Sequence, residues 1–314
     1  MKAAVVSAFD TPPRYRDFPA PVAVRATEQV VDVIAAGLHP RVRSQADGSH
    51  YTSTGELPLV PGIDGVGRGA DGVLRYFLLP DTTLGTMAEQ TLVDLRRSIV
   101  LPEGSDAVAV AAALNPAMSS WVALRRRIEF GPGQTVLILG ATGSAGRMAV
   151  QIAKLFGATR IVAVARNAGL LAALPALGAT ETVALADTAR LGTVAAEVDV
   201  VLDYLWGEPA ADALAAIVTA RPDRGKPLSW IQIGSVAGPT AAIPSAALRA
   251  AHLQIVGSGQ GSVATGDILA ELPALAAAIT AGAFDIDARP VPLSEVERAW
   301  ADAPRTTARL VLTP

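Results

Sequence analysis

The stretch TVLILGATGSAGRMAVQIAKLFG, residues 135–157, decides how this chain folds. Thr135 to Leu139 reads as a short buried strand, and Ser144 to Phe156 as an amphipathic helix. Between them lies Gly140-Ala141-Thr142-Gly143-Ser144-Ala145-Gly146. A strand that turns tightly into a helix on glycines lets the backbone come close to a pyrophosphate. The helix N-terminus then offers N–H groups and positive potential to the phosphates. Against the G-x-G-x-x-G fingerprint, Ala141 stands at the first glycine while Gly143 and Gly146 fit. Such a loop inside a strand–helix–strand unit predicts dinucleotide binding.

Outward from this turn the alternation continues. Arg160 to Ala165, Val198 to Asp203, Leu228 to Ile233 and Leu253 to Val256 read as strands. Ala168 to Leu177, Pro209 to Val218 and Asp267 to Ala281 read as helices. Continuous apolar strands between amphipathic helices predict a parallel sheet covered on both faces. Upstream the texture is different. Ala3 to Val6, Gln29 to Ala35, Val73 to Leu79 and Thr91 to Val93 are short β-runs separated by Pro, Gly and Asp, with prolines at 12, 13, 58 and 61. They predict a compact, mostly antiparallel barrel or sandwich. Asp106 to Leu124 reads as helices, cut at Asn115-Pro116 and closed by the cationic Arg125-Arg126-Arg127. The tail strands, Asp285 to Val291 and Arg309 to Leu312, return to the β-rich domain. The expected class is α/β: residues 1–115 and 283–314 form one domain, and residues 116–282 a doubly wound nucleotide-binding domain.

Composition narrows the function classes. The 314 residues are 51% hydrophobic and 18% charged with net charge −3, the wrong sign for gripping phosphate backbones, so no nucleic-acid partner is expected. There is no cysteine, which excludes disulfides, thiolate nucleophiles and every sulfur-ligated zinc site. The apolar opening from Ala3 to Phe9 is short for a signal core, and no uninterrupted apolar run approaches the roughly 20 residues of a membrane span. The expectation is a cytoplasmic protein with no membrane partner.

Nucleotide choice is read at the end of the second strand, Ala165-Arg166-Asn167. NAD-selective sites carry an acid there for the ribose 2′-hydroxyl. Here no carboxylate repels a 2′-phosphate, and Arg166 offers a planar fork that binds one, unless it is a solvated arginine at a strand end. The balance favours NADPH.

With these features in place, the chain resembles the medium-chain dehydrogenase/reductase superfamily, in its zinc-free quinone oxidoreductase branch. The resemblance rests on AAGLHP (35–40), LPLVPGIDGVG (57–67), GTMAEQTLV (85–93), NPAMSSWVAL (115–124), VLILGATGSAGRMAVQIAKLFGA (136–158), IQIGSVAG (231–238) and the closing RLVLTP. It implies a GroES-like catalytic domain, a Rossmann domain and an active-site cleft between them. Zinc-dependent relatives place a Cys at His39 and a His at Ile63, so no catalytic metal is implied. Zinc-free relatives often carry an Asn at His39, and a pocket-lining Tyr whose counterpart is Tyr51. Tyr51 either donates a hydrogen bond or proton to the acceptor oxygen or walls the pocket. His39, titrating near about 6.5 when unperturbed, either does the same or is a satisfied core group.

Further cofactor contacts are expected outside the carboxyl ends of strands, at Leu205, at Gly234, Ser235 and Val236, and at Ser258 and Gln260. Trp206 either caps an aromatic acceptor or packs. The family's lysine for the 2′-phosphate corresponds to Leu170, which shifts that burden to Arg166 and Asn167. The implied activity is a zinc-independent NADPH-dependent reductase passing hydride to a quinone or an α,β-unsaturated carbonyl, with a small-molecule acceptor as partner. Relatives imply a homodimer through LQIVGSG (253–259). The alternatives are an enoyl (thioester) reductase, or a non-catalytic NADPH-binding sensor or structural protein.

Overall fold

The computed structural model describes every residue except Tyr51. The chain divides into two compact units, Met1–Asn115 with Leu269–Pro314, and Pro116–Ile268. The first unit contains β1 (Lys2–Val5), β2 (Arg14–Asp17), β3 (Glu28–Gly37), α1 (Pro40–Ala46), β4 (Asp64–Gly69), β5 (Leu74–Leu78), β6 (Gln90–Asp94) and β7 (Ser98–Val100). Helix α2 (Ala107–Val122) leads out of it. The second unit runs β8 (Thr135–Leu139), α3 (Ser144–Leu155), β9 (Arg160–Ala165), α4 (Ala168–Leu171), α5 (Leu174–Leu177), β10 (Glu181–Ala184) and α6 (Thr188–Val194). It continues with β11 (Val200–Asp203), α7 (Gly207–Ala220), β12 (Leu228–Gln232), α8 (Ser245–Ala250) and β13 (Leu253–Gly257). Helix α9 (Thr265–Thr280) returns to the first unit, completed by β14 (Ala288–Pro292), α10 (Val296–Asp302) and β15 (Arg309–Thr313).

The second unit's sheet is six-stranded and wholly parallel, in the order β10-β9-β8-β11-β12-β13. The order turns back between β8 and β11, and ligands of such sheets sit outside the strand carboxyl ends at that point. Val136 to Leu139 and Val200 to Asp203 are buried throughout, as strands covered on both faces require. The core joins Leu137, Leu139, Val162, Val164, Val201 and Trp230 to Leu214 and Ile217 of α7.

The first unit's sheet has seven strands, β14-β15-β3-β4-β5-β7 with β6 also paired to β3; β14 and β15 are its parallel pair. The long β3 is its hub, and its buried residues meet Val42, Leu59, Ile63, Met87 and the Leu310–Leu312 strand in one core. The tail thus pairs with the β-rich unit, the strand β15 lying against β3 at Val311↔Gly37 and Leu312↔Ala36.

Four details differ from the sequence reading. The helix does not stop at Asn115-Pro116: α2 runs through Pro116, and a π-turn carries it to Arg127. Proline removes one backbone hydrogen bond and crowds the preceding turn, at a cost of about 3 kcal/mol. Burial of Val110 to Leu114 and of Trp121 to Leu124 outweighs it. The span Ala107–Arg127 is long and apolar enough to cross a membrane, with 67% of its most apolar window buried inside the protein. The expected helix over 168–177 is two single-turn pieces, because Pro175 opens the second. Strand β10 and helix α6 had too few apolar residues to stand out. The chain passes back to the first unit within α9, at Ile268/Leu269, whereas the sequence reading put that boundary at residue 283.

Candidate functional site

The glycine turn closes the carboxyl end of β8. Gly140 has φ +85° and its N–H, with that of Ala141, donates to Val164 O at 2.9 and 3.0 Å. The left-handed step therefore falls on Gly140, one residue before the position the fingerprint suggested, and Ala141 is fully buried with its methyl in the core. Gly146 is required by packing. A Cβ there would lie 2.3 Å from Gly140 O and 2.6 Å from Ala141 Cα, so nothing larger lets α3 sit against the turn.

Gly143 is different. Its φ of −72° suits any residue, and a Cβ would find its nearest neighbour, Gly140 O, at 3.6 Å. No internal contact demands glycine here. The space a Cβ would fill faces the open first turn of α3, which Gly143 caps without a side chain. Among the described residues, the N–H groups of Ser144, Ala145 and Gly146 have no hydrogen-bond acceptor, and the helix ladder begins with Arg147 N–H to Gly143 O at 2.8 Å. Unfilled donors at a helix start, with space before them, fit the pyrophosphate of a dinucleotide. Thr142 completes the turn.

Arg166 follows β9 and lines a cavity of about 430 Å³ with Leu185, Thr188 and the carboxylates Glu208 and Asp212 on the first turns of α7. Asn167 serves the fold, since its Oδ1 accepts the Leu170 N–H at 3.1 Å and caps α4. The two acids on α7 escaped the sequence reading, since nothing in their spacing tied them to the end of β9.

At the sheet's reversal Asp203 is fully buried. Its Oδ1 accepts the N–H groups of Leu205 and Trp206 at 2.8 and 3.0 Å, and its Oδ2 accepts Trp230 Nε1–H at 3.0 Å. Burial pushes its carboxyl above the usual range against those three donors. The clamp holds Trp206 at φ +52°, a conformation costly for a side chain of that size. Trp206 is half-buried and packs on the core. Leu205 is buried beside Gly140, and Gly234 passes so close that a Cβ would meet Tyr204 O at 2.7 Å. Tyr204 is buried and bonded to Ser119 at 3.0 Å, and burial pushes its hydroxyl up to about 12, so it stays protonated near neutral pH. Val236 is exposed, Ser235 follows Gly234 on the same turn, and Ser258 N–H donates to Gln232 O at 2.8 Å. Gln260 lies beyond β13 and bridges to Val263.

In the first unit His39 precedes α1 with its ring buried. Its Nε2 lies 2.8 Å from Asp64 Oδ1 on β4, and Tyr76 on β5 donates to Asp64 Oδ2 at 2.8 Å. The register Val66↔Tyr76 places the tyrosine diagonally across from Asp64 on one face. Burial, opposed by Asp64, lowers the imidazole below its usual pKa. Asp64 and Tyr76 were missed as a pair because a carboxylate amid glycines has no periodic signature. Tyr51 lies outside the described residues. Among the described residues, no group of three His, Asp or Glu is placed to hold a metal.

No family model matches the chain. It is 29% identical to a probable NADPH-dependent quinone reductase, tdiC, of Emericella nidulans, across 100% of both chains. An NADPH-dependent alkenal/one oxidoreductase of Arabidopsis thaliana, chloroplastic, is 27% identical over 45% of this chain and 41% of its own. Among solved structures, the quinone oxidoreductase of Thermus thermophilus, also determined with NADPH, superposes with a TM-score of 0.84. It is 26% identical and covers 100% of both chains. Two of these three are thus named as quinone reductases or oxidoreductases and the third as an alkenal/one oxidoreductase, each linked by name with NADPH.

Proposed function

For a chain that resembles zinc-free quinone oxidoreductases along its whole length, we propose an NADPH-dependent reductase acting on quinones or α,β-unsaturated carbonyls. The observation that carries it is the glycine turn, where Gly143 leaves room that no internal contact uses and three N–H groups await an acceptor. The relatives' named activities, on quinones and on alkenals or enones, support the acceptor class.

Residues of this chain would hold the cofactor as follows. The turn at 140–146 takes the pyrophosphate, and Arg166, at the end of β9 in a cavity it shares with Glu208 and Asp212, takes the 2′-phosphate. Leu205, Gly234 to Val236, Ser258 and Gln260, beyond the ends of β11 to β13, belong on the nicotinamide side. When bound, NADPH supplies a hydride. The protein's part is to bind, orient and exclude water, and solvent can complete the reduction with a proton. Edge strand β13 pairs on one side only, which supports a homodimer joined there.

The experiment is NADPH oxidation followed by absorbance across plain quinones and enones, with NADH in parallel. Arg166→Ala is expected to raise KM for NADPH far more than for NADH. No turnover with any such acceptor would overturn the proposal, and equal effects on both nucleotides would remove the 2′-phosphate assignment.

A further inference from the structure

Three charged side chains meet around the cavity of about 430 Å³ in the second unit. Arg166 stands at the end of β9, and Glu208 and Asp212 lie on the first turns of α7. Every residue lining the cavity belongs to that unit, and the rest of the wall, with Leu185, Thr188 and Leu191, is uncharged. One guanidinium against two carboxylates leaves the wall with a net charge of −1. Among the described residues, none of the three side chains makes a hydrogen bond or an ion pair.

The fold gives no reason for both acids. Glu208 suits the N-terminal turn of α7, where the helix dipole favours a negative charge. Asp212 lies past that turn and four residues from Glu208, a spacing at which like charges disfavour a helix. Asp187, next to the wall, is occupied: its Oδ1 accepts the Arg190 N–H at 3.1 Å and caps α6. A phosphate bound at Arg166 would share this small space with two unneutralised carboxylates. Screening at physiological salt, with a length of about 8 Å, would not hide them from it.

We propose that Glu208 and Asp212 are specificity-determining residues that do from α7 what an acid at the end of the second strand does in NAD-selective sites. They oppose a 2′-phosphate, blunt the preference that Arg166 confers, and leave the chain able to take NADH as well as NADPH. This rests on the reductase reading above and sets its nucleotide selectivity. No carboxylate follows β9 itself, where Arg166 and Asn167 stand, so the local sequence reads as selective for NADPH while the cavity carries both signs. A phosphate monoester carries a charge of about −1.5 to −2 at neutral pH, and the 2′-hydroxyl of NADH carries none. The acids therefore act on one nucleotide and hardly on the other.

Dissociation constants of NADPH and NADH for the full chain, read by nucleotide fluorescence without any acceptor, test this. All three side chains are exposed, so two charge interactions of the surface kind together amount to about three- to tenfold. Glu208→Gln combined with Asp212→Asn should tighten NADPH by that factor and move NADH by less than about twofold. Displacement by adenosine 2′,5′-bisphosphate and by 5′-AMP should show the same split, which places the effect at the 2′ position. The response to salt needs no substitution. Between about 50 and 300 mM salt, the ratio of the NADPH to the NADH constant should fall or hold in the native chain and rise in the double variant, whose cavity is net positive. A native ratio that climbs with salt, an equal change for both nucleotides, or no tightening of NADPH in a double variant that melts normally removes this inference alone. Absence of binding by either nucleotide removes the cofactor reading itself, and this inference with it.

Discussion

Replacing Gly143 by alanine separates binding from folding. The new Cβ would lie 3.6 Å from Gly140 O, an ordinary contact, on a backbone with φ −72° that alanine adopts freely. Two small effects act on stability. Alanine narrows the unfolded ensemble, worth about 0.4–1 kcal/mol, and it is a poorer N-cap than glycine by a similar amount. The apo protein should therefore melt within a few degrees of the native chain. A pyrophosphate seated on the first turn of α3 would meet the added methyl directly. Overpacking a fitted contact costs about 1–3 kcal/mol, or roughly a five- to hundredfold weaker Kd. Titration by NADPH fluorescence reads this directly. Thermal shift offers a check: ligand at about 100 times the native Kd stabilises by about 2.7 kcal/mol, and a thirtyfold weaker variant would keep under about 1 kcal/mol of that. An unchanged Kd in a normally folded variant would refute the placement of the phosphates at this turn.

Gly146→Ala should do the reverse, since the clash is with backbone at 2.3 Å; the loss of about 1–3 kcal/mol should appear as a lower melting temperature before any ligand is added. Asp203→Asn keeps an acceptor for the Leu205 and Trp206 N–H groups but turns an amide donor toward Trp230 Nε1–H, so a fall of about 1–3 kcal/mol in urea unfolding is expected. Unaltered stability would mean that the clamp is not what holds Trp206. The lowered pKa of His39 gives a pH dependence: the unfolded chain binds that proton more readily than the folded one, so stability is complete above about pH 6.5 and erodes as pH falls below it. His39→Gln should flatten that slope in melting curves from pH 7.5 to 5, and a slope unaffected by the substitution would show that other groups carry it.

What could be read from the sequence follows from how far each signal reaches along the chain. The strand–turn–helix at 135–157 announces itself because periodicity, glycines and the open helix start are all local, and the parallel sheet follows from the alternation that continues to Val256. The tail's return to the β-rich unit was legible from texture alone. Non-local features were not. Asp64 and Tyr76 meet because β4 and β5 are adjacent, and only the register brings a tyrosine twelve residues on to the second oxygen of a carboxylate whose first oxygen holds His39. Glu208 and Asp212 come to face Arg166 only because α7 starts beside the ends of β9 and β10. The role of His39 shows the consequence. Residue type alone leaves its ring orientation open, and its partner decides: the buried carboxylate of Asp64 beside Nε2 favours the proton on that nitrogen. Sequence can nominate the titrating residue, but the group that orients its ring is chosen by strand pairing.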